Sequence, residues 1–193
     1  FRLRPNRPRR KYRILQRDDV VRLLPMPQAI EQMRKAFGEL SAGRALLPMR
    51  SRFDTEKGDM HLMPAYLGDS GLCVKMVLTY PDNHQHGLPA VQGVLAVFDS
   101  ATGTPQALMD CAGLTAIRTG AAGGLAIQLL SREDSHVLGL IGAGVQARMQ
   151  AEAAMVVRDI RLVLVTDARP GAADSFCQAL ADRCQAPEVR RVD

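Results

Sequence analysis

A chain of 193 residues with 47% hydrophobic residues is globular and has room for one domain or two small ones, and no apolar run reaches the ~18 residues of a membrane span. Its four cysteines, Cys73, Cys111, Cys177 and Cys184, form neither a C-x-x-C pair nor a zinc spacing, which excludes a cysteine-based metal motif and reads as reduced thiols in a cytoplasmic protein. The net charge of +5 is local: eight of the 25 basic residues lie in positions 1–17, which hold no acid, and the other 17 are outnumbered by 20 acids, so the body of the chain gives no support to nucleic-acid binding.

Residues 1–17 read as a disordered basic arm with no apolar stretch of a secretion signal. Asp18–Leu24 and Pro27–Gly43 carry helical spacing, the second with Ile30, Met33, Phe37 and Leu40 on one stripe. From Leu46 to Asp110 the texture is that of short extended segments. Leu72–Thr79 alternates, with Val74, Met76 and Leu78 facing one way and Cys73, Lys75, Val77 and Thr79 the other. Pro81–Pro89 contains His84 and His86 but no nearby third ligand, so it reads as a solvated loop and not a metal site. Val91–Phe98 and Pro105–Met109 form a hairpin around the turn Ser100-Ala-Thr-Gly103.

Leu114–Leu130 is a helix with Gly120, Gly123 and Gly124 on the face of Ala116. Each glycine costs about 1 kcal/mol relative to alanine, so the face admits a close approach, either of a ligand or of packed structure. Arg118 lies near the apolar stripe and calls for an anionic partner. Val137–Ile141 reads as a buried strand, Gln146–Val157 as a helix, and Ile160–Thr166 as a second buried strand. Ala172–Cys184 is a further helix, and Glu188–Asp193 the start of a third strand.

Between the first of these strands and the next helix stands Gly142-Ala143-Gly144-Val145-Gln146-Ala147, a G-x-G-x-x-A turn in strand–turn–helix–strand context. Gly142 permits the sharp turn, Gly144 lets a pyrophosphate approach the backbone, and Ala147 keeps helix and sheet close. The helix N-terminus adds amide donors and positive partial charge. Asp167 ends the following strand, 25 residues after Gly142, where it would accept the ribose hydroxyls and repel a 2′-phosphate. That favours NAD, whereas Arg169 could hold the 2′-phosphate of NADP.

Leu47-Pro-Met-Arg50, His61-Leu-Met-Pro-Ala-Tyr66, Val74-Lys-Met-Val77, Gly87-Leu-Pro-Ala90, Leu114-Thr-Ala-Ile-Arg-Thr-Gly-Ala-Ala122 and Gly139-Leu-Ile-Gly-Ala-Gly-Val-Gln-Ala147 together resemble the ornithine cyclodeaminase/mu-crystallin family. The resemblance implies an α/β fold in which an N-terminal α+β substrate-binding and dimerisation domain precedes an NAD(P)-binding Rossmann domain. On this sequence it implies an arm over 1–17, a substrate domain over 18–113, a connecting helix over 114–130 and the first part of the Rossmann domain over 131–193. It further implies a homodimer and a small amino- or imino-acid substrate.

The family pattern places Arg50, Lys75 and Arg118 around the substrate carboxylate, Met63 in the same pocket, and Thr119, Gly142, Ala143, Gly144, Val145, Gln146, Asp167 and Arg169 at the cofactor. No catalytic residue is assigned within the chain, because the family aspartate is expected beyond Asp193. The activity implied is that of an NAD-dependent cyclodeaminase acting on ornithine. The alternatives are a ketimine or pyrroline-carboxylate reductase, an alanine dehydrogenase-like enzyme, or a non-catalytic binder resembling mu-crystallin. His61 stands where cyclodeaminases of this pattern carry an acid, which makes it the candidate specificity residue.

Overall fold

The computed structural model describes residues 12–68, 71–181 and 187–192. These fall into two units. One holds the described residues up to Val20 together with Ala42–Ala112, and the other holds Val21–Ser41 and the residues from Gly113 onward.

The first unit is a single sheet of β1 (Arg13–Leu15), β2 (Ser51–Asp54), β3 (Asp59–Tyr66), β4 (Leu72–Thr79), β5 (Val91–Phe98) and β6 (Pro105–Asp110), in the order β1-β6-β5-β4-β3-β2. β1 joins β6 in parallel and every other pairing is antiparallel. The expected arm over 1–17 is therefore too long: Arg13, Ile14 and Leu15 pair in parallel with Ala107, Leu108 and Met109 at the sheet edge, a backbone pairing that three residues flanked by basic neighbours do not announce. Residues 1–11 lie outside the described part.

Two turns set the register. Between β2 and β3 the Thr55 amide donates to the Gly58 carbonyl at 2.7 Å, and the Gly58 amide donates to Thr55 Oγ1 at 3.1 Å. A Cβ on Gly58 would run into the Thr79 carbonyl and the Tyr80 ring, so glycine is required by close approach. Between β5 and β6 the Asp99 carboxylate accepts from the Thr102 amide at 2.8 Å and hydroxyl at 2.7 Å, and Gly103 takes φ +66°. Pro81–His86 is a short 3-10 helix and not an open loop, closed by Gly87 at φ +68°. Its His84 Nδ1 is engaged with the Pro81 carbonyl at 2.9 Å.

In the second unit β7 (Val137–Ile141), β8 (Leu162–Thr166) and β9 (Glu188–Arg191) form a parallel sheet in that order. α1 (Arg17–Leu23) straddles the boundary between units, while α2 (Met26–Ser41), most of α3 (Cys111–Leu130), α4 (Val145–Val157) and α5 (Ala172–Ala181) belong to the second. Parallel pairing with helical crossovers is the βαβ arrangement that the sequence pattern implied. Its core gathers Val163 and Val165 of β8, Ala151 of α4, and Ala173, Phe176 and Leu180 of α5, with Ala147 packed against it.

Two expectations change, and one open alternative is decided. β7 is not a buried strand: it lies at an edge of the described sheet, with Val137 56% and Ile141 98% exposed. The stripe of α2 is buried only at its start, at Met26, Ala29 and Ile30, while Phe37 and Leu40 are exposed. The glycine face of α3 admits neither ligand nor sheet but other helices. A Cβ on Gly120 would lie 2.7 Å from Met149 Cβ, one on Gly123 would strike the Gln150 side chain, and one on Gly124 would lie 2.8 Å from Ala153 Cβ and 3.0 Å from Ile30 Cδ1. α3 thus receives α4 and α2 at backbone distance, which returns the helix-propensity cost as packing. No helix among the described residues is long and apolar enough to cross a membrane. The free cysteines described are Cys73, Cys111 and Cys177, and Cys184 lies outside the described residues.

Candidate functional site

The sheet of the first unit brings together residues that the sequence keeps apart. Met63 of β3 is the direct cross-strand partner of Lys75 of β4, and His61 is the partner of Val77. Because side chains alternate along a strand, His61, Met63, Lys75 and Val77 share one face. Arg52 of β2 is paired with His61 and extends the same row, and Arg50 immediately precedes β2. The Lys75 charge is felt by its neighbours. Burial pushes the Cys73 and Cys111 thiols up, and the Lys75 ammonium pulls each part of the way back.

At the β2–β3 end of this face is a polar cluster that sequence reading missed. Arg52 Nη2 donates to Asp54 Oδ1 at 3.0 Å and to Asp59 Oδ2 at 3.3 Å, and His61 Nε2 lies 3.4 Å from Asp59 Oδ1. The His61 Nδ1 atom is buried without a hydrogen-bond partner among the described residues, so the ring keeps one polar atom uncommitted. The signal available was the alternation of Arg52, Asp54, Asp59 and His61 across a Gly-containing turn. Only the register shows that they meet.

The second unit carries the other candidates. Gly142 takes φ +98°, a conformation that disfavours any side chain, and its amide donates to the Thr166 carbonyl at 2.7 Å. Gly144 is different: its φ is −80° and a Cβ there would meet no protein atom. Nothing within the chain requires glycine at 144, so the open space above it suits the close approach of an outside group. Gly144 also brings no capping side chain to α4, leaving the first-turn amides around Val145 and Gln146 for an anion. The turn thus fits a dinucleotide pyrophosphate.

Asp167 is bound into this turn. Its Oδ2 accepts the buried Ala143 amide at 2.7 Å and Arg169 Nη2 at 3.0 Å, and its Oδ1 accepts the Arg169 amide at 2.8 Å and Nε at 3.1 Å. The Arg169 guanidinium, then the Arg169 and Ala143 amides, hold its carboxyl well below the usual carboxylate range. Beyond it opens a cavity of about 310 Å³ lined by Asp167, Arg169, Gly171, Asp174 and Arg191, with Arg191 Nη1 3.3 Å from Asp174.

Thr119 and Arg118 lie side by side on α3. The Thr119 hydroxyl donates to the Thr115 carbonyl at 2.7 Å, and the Thr119 carbonyl accepts from Gln150 Nε2 at 3.1 Å. Arg118 is exposed, so water satisfies its charge and the expected need for an anionic partner within the fold does not arise. Arg50 is likewise exposed, whereas Met63, Lys75 and His61 are half-buried. The structure therefore groups Met63, Lys75 and His61 on one sheet face, and Gly142, Ala143, Gly144 and Asp167 around one turn.

The pattern of the ornithine cyclodeaminase/mu-crystallin family matches residues 10–192. The chain belongs to this family. It is 40% identical over 171 residues to an alanine dehydrogenase of Archaeoglobus fulgidus, covering 88% of this chain and 52% of the relative. It is 33% identical over 181 residues to an L-lysine cyclodeaminase of Streptomyces rapamycinicus, covering 88% and 53%. Among solved structures it resembles the delta(1)-pyrroline-2-carboxylate reductase of Thermococcus litoralis in complex with NADH and L-proline, at 42% identity and a TM-score of 0.87, over 93% of this chain and 56% of that one. The chain thus spans about half the length of the relatives it matches.

Proposed function

We propose that this chain carries the substrate face and the first part of the cofactor site of an enzyme that moves hydride between a nicotinamide dinucleotide and the α-carbon of a small amino or imino acid. The observation that carries this reading is the turn at Gly142–Gly144, built for a pyrophosphate and closed onto Asp167. When bound, the dinucleotide supplies the hydride acceptor or donor. The chain's residues bind and orient. The amides at the start of α4 take the pyrophosphate, Asp167 and Arg169 face the adenosine ribose, and Thr119 takes part in holding the cofactor. Lys75, with Arg50 and Arg118, takes the substrate carboxylate through charge-assisted hydrogen bonds, while Met63 fills the apolar side beside Lys75.

Within this chemistry we favour a dehydrogenase or reductase of a short amino or imino acid. The relatives named above include an alanine dehydrogenase at 40% and a pyrroline-carboxylate reductase at 42%, against 33% for the lysine cyclodeaminase. His61 in place of an acid points the same way, since a side-chain ammonium of ornithine or lysine would meet an imidazole and not a carboxylate. The cyclodeaminase expected from the sequence is the second reading, supported by the lysine cyclodeaminase relative. A homodimer joined through the first unit's sheet fits the other face, where Leu62, Val74, Met76, Val94 and Leu108 are all apolar and half-exposed.

The test is product analysis of the complete protein with alanine, proline, pyrroline-2-carboxylate, ornithine and lysine. Net change in reduced nicotinamide with alanine or the pyrroline acid is expected. Ammonia from ornithine or lysine without net redox change would replace this reading by the cyclodeaminase. Absence of turnover with bound dinucleotide would leave a binding protein.

A further inference from the structure

At the β2–β3 end of the first unit's sheet, two neighbouring side chains each bury a polar atom that has no hydrogen-bond partner among the described residues: Asp59 Oδ1 and His61 Nδ1. Asp59 Oδ1 lies 3.4 Å from the other ring nitrogen, His61 Nε2. The oxygen can be satisfied within the pair, by a small turn of the ring that brings an Nε2–H onto it. The Nδ1 atom then still has no donor.

A neutral imidazole carries one N–H and one bare acceptor. With the proton on Nε2, the donor faces the carboxylate. With the proton on Nδ1, a buried N–H goes unpaired and the Nε2 lone pair faces a carboxylate oxygen, and both cost free energy. Asp59 therefore selects the Nε2–H form. Arg52 braces Asp59 from the other side, donating to its Oδ2 at 3.3 Å and to Asp54 Oδ1 at 3.0 Å. One guanidinium is thus shared between two carboxylates. Asp59 is the shielded one, with a side chain 19% exposed against 74% for Asp54.

His61 is two residues from Met63, the cross-strand partner of Lys75, which places it about 6.7 Å further along the same face. The face therefore runs from the Lys75 ammonium to a ring that offers an acceptor and has a carboxylate behind it. A few carbons of substrate side chain span that distance. Resting on the substrate face proposed above, whichever of its two reactions it serves, we infer that Asp59 is a positioning residue for specificity: it holds His61 as an acceptor and so excludes a second carboxylate from the site. The substrates are then monocarboxylic amino or imino acids. A dicarboxylic acid held at Lys75 would bring its second anion to an acceptor backed by another anion.

Two measurements on the complete protein test this. Ring-nitrogen NMR at about pH 8.5, above the ordinary imidazole range, should show His61 in the Nε2–H form, and Asp59→Asn should populate the Nδ1–H form. Calorimetry in the presence of NADH, to which an amino acid gives no hydride, compares the best bound of L-alanine, L-proline and L-lysine with L-aspartate. The unaltered protein should favour the monocarboxylic acid at least about tenfold, and Asp59→Asn should cut that ratio at least about fivefold. Asp59→Ala, which removes the anion without supplying an amide, should move the ratio the same way. An Asp59 that only supports the fold would weaken all four ligands alike. An Nδ1–H ring in the unaltered protein, tight binding of L-aspartate, or a ratio that stays constant in both variants would overturn the inference and leave the substrate face standing. If none of the four amino acids binds the unaltered protein, the substrate-face reading fails and takes the inference with it.

Discussion

At the scale of single residues, Asp167 shows how a short motif acquires its chemistry from neighbours. Its carboxyl is held below the usual carboxylate range, first by the Arg169 side-chain bond and then by the Arg169 and Ala143 amides. A depressed folded value means that the unfolded chain binds a proton more readily than the native one. The stabilisation is therefore present above the unfolded value, about 3.9, and is lost as pH falls through the lower folded value. Asp167→Asn should be less stable than the unaltered chain at neutral pH, and the gap should begin to narrow below about pH 4 and keep shrinking as pH falls towards the lower folded value. Urea unfolding of both forms across that range measures it, and a gap independent of pH would mean that the ionised carboxylate contributes nothing to the turn. Gly142 and Gly144 were both legible in the sequence as one motif, yet they differ physically. The first is required by its positive φ, the second only by what approaches from outside.

At the scale of elements, periodicity located strands and helices well because each amphipathic face announces itself locally. What it could not supply was the partner of each face. The stripe on α2 reads as a helix that buries Ile30, but not that Ile30 meets Gly124 of α3 in the second unit. The family resemblance implies one pocket for Met63 and Lys75, but not that they are direct cross-strand partners, which is a property of the β3–β4 register. Arg52 and Asp59 were not nominated at all, since exposed-looking charges on short strands carry no signal until pairing is known. Arg158 is a second omission. Standing at the C-terminus of α4, it donates to the carbonyls of Val157 at 2.8 Å, Gln128 at 2.9 Å, Ser131 and Arg132 at 3.1 Å, and Ile127 at 3.2 Å. Ile127 and Gln128 lie in the last turn of α3, and the guanidinium gathers their carbonyls with those that follow as a fork, which an ammonium cannot. Arg158→Ala should cost about 1.5–3 kcal/mol, and Arg158→Lys should recover less than half. Denaturant midpoints for the three proteins decide this, and an alanine variant as stable as the parent would show that water replaces the guanidinium at no loss.

At the scale of the whole molecule, the second unit combines a finished interior with an unfinished border. Val163 and Val165, on one face of β8, are fully buried in the cluster with α4 and α5. β7, of similar apolar composition, pairs with β8 on one side only among the described residues and leaves Ile141 98% exposed. A parallel, apolar strand with one open edge is a template for pairing with another chain, and it lacks the charges, prolines and bulges by which stable edges are protected. The chain on its own should therefore self-associate through β7, increasingly with concentration. Ile141→Lys places a charge on that edge without touching the β7–β8 register or the positive-φ turn at Gly142. It should shift the chain towards a single slowly sedimenting species, with the far-ultraviolet spectrum unchanged. Sedimentation velocity over a range of concentrations reads the outcome. If both forms sediment alike as monomers, the β7 edge is protected by something other than a paired strand. If both associate alike, the contact lies elsewhere, with the apolar face of the first unit's sheet the next surface to alter.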